Sequence, residues 1–211
     1  MKKKILLGIF ALAMVFQAAA QDKAFNFGVK VAPAISWLRI DNKLIEPDGA
    51  NVKCNVGFIA AWNFAENFSL VSGFNVNSLG GKFKAEIPSD AAAFPPITET
   101  VKNKIRLTEF EIPVAFQMKT NDINDFKLYL QLGLGAAYIF NAKDKDKNDI
   151  KDARALGLNY FAVGGAEYAV TGGVSLIGQV KYNGGLTSAM SKKHFADTRA
   201  NFVELGLGVM F

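Results

Sequence analysis

The chain of 211 residues has one cysteine, Cys54, one histidine, His194, and only six prolines. A single cysteine excludes an intramolecular disulfide framework and a four-cysteine zinc site. A single histidine excludes a His-rich metal centre within one chain. Beyond residue 20 there is no run of 18 apolar residues, which excludes a helical inner-membrane protein. The 24 basic and 19 acidic residues are mixed along a chain that is 50% hydrophobic, so it is not a disordered polyelectrolyte. In place of what is scarce stand 18 Phe and 19 Gly, a pairing that suits strands in close backbone contact better than helices.

The first twenty residues read as a secretory signal peptide. Lys2, Lys3 and Lys4 form a basic head, residues 5–16 are nearly all apolar, and Ala18-Ala19-Ala20 offers a cleavage point before Gln21. Removing residues 1–20 leaves 191 residues as one barrel domain, 21–211. It takes away three lysines and no acid, so the net charge falls from +5 to +2. The basicity belongs largely to the export signal and argues for no nucleic-acid partner.

From Phe25 onward the hydrophobic period is two. Leu128, Leu130, Leu132, Leu134, Ala136, Tyr138 and Phe140 share one face, with Tyr129, Gln131, Gly133 and Gly135 on the other. Near the C-terminus, Val203, Leu205, Leu207, Val209 and Phe211 alternate with Phe202, Glu204, Gly206, Gly208 and Met210. The pattern predicts eight strands, at 25–39, 53–64, 68–80, 104–118, 126–140, 154–168, 173–184 and 199–211. Pro113 falls inside the fourth and predicts a bulge there.

The connections alternate in length. Residues 65–67, 119–125 and 169–172 are the shorter ones, and 40–52, 81–103, 141–153 and 185–198 are long and polar. Short periplasmic turns, long external loops and an even strand number are the pattern of an antiparallel up-and-down transmembrane barrel.

Alternation alone does not say which face meets water. Three features assign the apolar face to lipid. All eight segments exceed the ~9–11 residues a tilted spanning strand needs. Aromatics gather near both strand ends: Phe25, Phe27, Trp62, Phe64, Phe68, Phe116, Tyr168 and Phe211 at the short-turn end, Trp37, Tyr138, Phe140, Tyr160 and Tyr182 at the other. The opposite face carries Lys30, Lys53, Glu109, Glu111, Glu167, Lys181 and Glu204 among small residues. A barrel of about eight strands has a lumen just wide enough for side chains to fill. These seven are therefore expected to form a lumenal charge network, neutralising one another amid Gly, Ala and Ser.

The end of the leader at Ala20-Gln21, the eight strands, the stretch Glu109-Phe110-Glu111-Ile112-Pro113-Val114 and the closing Gly206-Leu207-Gly208-Val209-Met210-Phe211 resemble the PorT-like outer-membrane β-barrel proteins of Bacteroidetes. The resemblance implies an OmpX/OmpA-like eight-stranded barrel, delivered through the periplasm and inserted by the barrel assembly machinery. It also implies that Phe211 is part of the assembly signal. PorT itself is linked to protein secretion.

Other candidate chemistry has simpler explanations. His194 lies in Ser191-Lys192-Lys193-His194, with Asp197 close by, and could be the base of a lipid-modifying enzyme. A flexible loop would not hold such a triad, so it reads as a solvated histidine. Glu109 and Glu111 share a face and could work as an acid–base pair, but a filled lumen leaves no room for substrate. The run 143–149 has alternating Asp but lacks the turn glycine and closing glutamate of a calcium loop. Gly206 and Gly208 lie on a strand with no helix following, so they are no phosphate loop. Cys54 reads as a small apolar residue of the lipid face or rim. Residues 89–96, with Phe94 and two prolines, form either a partner contact or a stiffened loop.

The expected protein is a non-enzymatic, cofactor-free and metal-free outer-membrane barrel. It would be structural or interacting at the envelope, with outer-membrane lipid around it and a possible protein partner on its external loops. The alternatives are a lipid A deacylase-like enzyme and a soluble exported ligand-binding barrel.

Overall fold

The computed structural model describes residues 24–40, 45–90, 97–144, 148, 150, 156–171, 173–189 and 198–211. The leader, His194, Ser191, Asp197 and Phe94 lie outside the described residues.

Nine strands form one antiparallel sheet: β1 (Phe25–Ile40), β2 (Ile45–Pro47), β3 (Asn51–Ala65), β4 (Phe68–Asp90), β5 (Ile97–Lys119), β6 (Phe126–Lys143), β7 (Leu156–Thr171), β8 (Val174–Gly185) and β9 (Thr198–Met210). Eight of them close a barrel in chain order. The seam joins β1 to β9 through pairs such as Val31 with Leu207. Closure leaves no open sheet edge around the ring of eight strands that crosses the membrane, where lipid would not tolerate one. The turn between β5 and β6 shows why the register is fixed. Asn124 (φ 49°) and Asp125 (φ 68°) both take positive φ, the two-residue turn that matches strand twist.

Side chains obey the predicted two-residue period. Leu130 is 46% and Leu176 49% exposed on the outer wall, whereas Glu109 and Lys181 are 4% and 2% exposed inside. The apolar face therefore looks outward and the polar face inward. Rings line the outer wall at the short-turn end, with Phe25 and Trp62 centroids 6.4 Å apart and Phe126 and Tyr168 4.6 Å apart. Trp37, Tyr182 and Tyr160 line the other end at 6.5 and 6.1 Å. The rings are not confined to two belts. Phe27, Phe58, Phe74 and Phe110 stack in a continuous band across four strands, with centroids 6.1, 5.3 and 5.9 Å apart.

Several strand limits differ from the sequence pattern. The largest difference is the β4–β5 hairpin, whose strands run 23 residues each and stay paired from Phe68–Met118 to Asp90–Ile97. Most of the expected loop 81–103 is thus strand, projecting beyond the lipid-facing wall. The short β2, inside the expected loop 40–52, pairs with this extension at Phe83–Ala85. Pro113 causes no register shift. The β4–β5 pairs skip from Ser72–Val114 to Asn75–Glu111 in constant register, because proline has no N–H to give. The bulge lies at Thr108/Glu109, in the β5–β6 ladder.

Candidate functional site

The predicted charges meet in the middle of the lumen. Lys181 of β8 reaches Glu111 of β5, its Nζ donating to Oε2 at 3.0 Å with both side chains buried. Lys30 of β1 pairs with Glu204 of β9. Amides fill the remaining acceptor sites. Asn55 donates to Glu204 at 2.8 Å, and Asn75 and Asn183 donate to Glu111 at 3.0 Å each. Asn77 bridges the two acids of β5, donating to Glu109 at 3.0 Å and Glu111 at 2.9 Å. A buried ion pair survives only when such bonds complete its shell. The Lys181 ammonium also lies 4.5 Å from the ring centroid of Phe161 and 5.5 Å from that of Phe202.

Room for this layer comes from glycine. A Cβ on Gly135 would stand 2.4 Å from Glu111 Oε1, so a side chain there would have to displace the buried carboxylate from its bonds. At Gly80, φ is +153°, a conformation L side chains rarely adopt, and Ser36 donates to its carbonyl at 2.9 Å. There the hairpin extension meets β1.

Two predicted members are placed differently. Glu167 pairs with Lys119 at 2.9 Å near the short-turn end, apart from the central cluster. Lys53 has no ion pair among the described residues. It sits above the point where β3 begins to pair with β4, at Val56–Val76, and the charges acting on it are those of Lys104 and Arg106. Glu109 meets amides, Asn77 and Asn159, and no cation among the described residues. Cys54 is exposed, as a rim or lipid-face residue should be.

The lumen is not filled by small residues and charges alone. Leu38, Leu79, Phe83, Ile105, Leu107, Ala189 and Phe202 form an apolar plug at the external mouth. A second apolar layer, including Val71, Tyr129, Phe161, Val163, Ile177 and Met210, lies toward the short turns. It is threaded by the bonds Gln131–Gln117 at 2.6 Å and Tyr129–Gln179 at 3.0 Å. The sequence reading missed the plug because Leu79 falls at the end of an expected strand and Phe83, Ile105 and Leu107 near or inside an expected loop. Their alternation with Lys82, Lys104 and Arg106 was the available signal. Cavities of ≈ 30, ≈ 20 and ≈ 20 Å³ lie between these layers, room for a water or two each. The arrangement binds the wall strands together and, among the described residues, leaves no wide aqueous path.

A sequence model of the family described as outer membrane protein beta-barrel domain matches residues 18–191. The chain belongs to that family. Its fold is the closed, antiparallel outer-membrane barrel, and its place is the outer membrane. Among solved structures, it resembles Neisserial surface protein A at 15% identity and TM-score 0.54, over 89% of this chain and 96% of that one. It also resembles the outer membrane protease OmpT of Escherichia coli, at 11% identity and TM-score 0.49, over 89% and 96%. A third is OprG of Pseudomonas aeruginosa, at 10% and 0.46, again over 89% and 96%. No curated protein sequence matches the chain. At 15% identity the likeness to Neisserial surface protein A carries the fold and nothing finer.

Proposed function

We propose that this outer membrane barrel is a non-enzymatic structural or interaction protein of the cell envelope, with its external segments as the contact surface. The observation that carries the reading is the uneven height of the wall. Strands β4 and β5 have 23 residues each, whereas β8 and β9 have 12 and 13. About 9–11 residues suffice to cross the membrane, so the surplus is an ordered hairpin held outside it. A general porin role is disfavoured because wide channels need about 16 strands. The PorT-like assignment belongs to this proposal, as do insertion by the barrel assembly machinery and the role of Phe211 in the assembly signal.

The test is a pull-down from native membranes with the hairpin intact and with residues 85–102 replaced by Asn-Gly. A barrel that still folds but loses its envelope partners is the expected result. Unchanged partners would remove the hairpin from the contact surface. The enzymatic alternative is tested in parallel by incubating purified protein with lipid A. A mass change that disappears in His194→Ala would replace this proposal. Liposomes containing the protein should show no swelling in monosaccharide solutions; swelling at porin rates would contradict a sealed lumen.

A further inference from the structure

The outer wall just above the external aromatics carries positive charges set directly against one another. Lys82 of β4 is the cross-strand partner of Lys104 of β5, and Arg106 of β5 is the partner of Lys143 of β6. All four lie on the outward face, because Phe83, Ile105 and Leu107 between them point into the plug. Lys53 of β3 pairs with the buried Ala34 and turns to the lumen face, so it is not part of this patch, although Lys104 and Arg106 act on it electrostatically. None of the four forms an ion pair among the described residues. Their neighbour Lys84 does, with Asp48 at 2.6 Å.

Like charges opposite one another in a sheet are destabilising. Among the described residues these two adjacent pairs have no acidic partner, which leaves a place for an anion. The height of the patch says which one. Arg106 is four residues beyond Phe110, and Phe110 pairs with Tyr138 on the lipid face. Four residues span about 14 Å along a strand and about 10 Å along the membrane normal at a tilt near 40°. Lys143 is three residues beyond Phe140, about 8 Å above it on the same reckoning. That is headgroup depth, since the headgroup layers bring a core of about 30 Å to about 40–45 Å.

We infer that Lys82, Lys104, Arg106 and Lys143 form a binding site for the phosphate groups of an anionic outer-leaflet glycolipid. Arg106 offers a planar fork to phosphate oxygens, and the lysines surround it as point charges. The site rests on the membrane placement of the barrel and not on the identity of any protein partner.

The experiment is native mass spectrometry of the full barrel, released from phosphatidylcholine nanodiscs doped with lipid A or with dephosphorylated lipid A. Wild-type protein is expected to retain the phosphorylated lipid about tenfold or more over its dephosphorylated form, as several cations acting on one headgroup would produce. The variant K82Q/K104Q/R106Q/K143Q should retain both forms equally. Lys127→Gln, at the short-turn end, should behave as wild type. Equal retention of the two lipids by wild-type protein overturns the site, and that arm needs no variant to fold. Retention in the quadruple variant equal to wild type overturns the residue assignment. Displacement by inorganic phosphate at low millimolar concentration, with no preference between lipids, would make this a general anion site and overturn the lipid assignment.

Discussion

Lys181 and Glu111 meet at 3.0 Å in the centre of the barrel, although β8 and β5 are not neighbours in the sheet. The bond spans the lumen, so it ties together parts of the wall that the backbone ladder links only through β6 and β7 on one side and through β9, β1, β3 and β4 on the other.

Removing one partner should therefore be costly. Glu111→Gln leaves the Lys181 ammonium buried and unpaired, and breaking such pairs costs about 3–5 kcal/mol. Urea titration of protein refolded into vesicles should show a loss of that order for Glu111→Gln and for Lys181→Met. The double variant should lose clearly less than the two losses added together. Simple additivity would mean that the two side chains are not coupled.

Gly135 in the lumen should be intolerant of a side chain, and Gly164 on the lipid face tolerant. A Cβ at Gly135 meets Glu111 Oε1 at 2.4 Å, whereas one at Gly164 meets nothing within 4 Å. Gly135→Val should destabilise by about 1–3 kcal/mol through overpacking. Gly164→Ala should change stability by no more than about 0.5 kcal/mol. Equal effects in the same titration would contradict the assignment of faces.

The two tryptophans report the membrane boundaries. Trp62 stacks with Phe25 at the short-turn end, and Trp37 lies tilted against Tyr182 at the external end. In single-tryptophan variants, each should be quenched more by lipids brominated near the headgroup than at chain ends. Stronger quenching at mid-chain would move the hydrocarbon slab along the barrel.

The last residue is part of the seam. Phe27 donates to the Phe211 carbonyl at 3.1 Å, and the Phe211 N–H donates to the Phe27 carbonyl at 2.6 Å. Deleting Phe211 removes both bonds and an aromatic of the lower belt. Barrel formation, followed by gel mobility of unheated samples, should slow when the deletion variant is refolded into vesicles; unchanged kinetics would leave the residue with no part in closure.

The strand count, the barrel and the face turned to lipid were legible because one physical rule governs all three. Every second residue meets hydrocarbon, and charge is excluded from that face, so the alternation of Leu128 to Phe140 carries its orientation with it. The charged side chains of the opposite face were legible for the same reason.

Pairing within the lumen was not legible, because it depends on how far each strand is staggered against its neighbours. Stagger put Lys181 on Glu111 and Lys30 on Glu204, sent Glu167 to Lys119, and left Lys53 with no ion pair among the described residues. The hairpin extension escaped because residues 81–103 read as polar loop. Only closure shows that Phe83, Ile105 and Leu107 turn inward together, and that Lys82, Lys104, Arg106 and Lys143 are thereby set side by side on the outside. Period fixes the face of a residue from its immediate neighbours; its partner lies many residues away and exists only once the cylinder has closed.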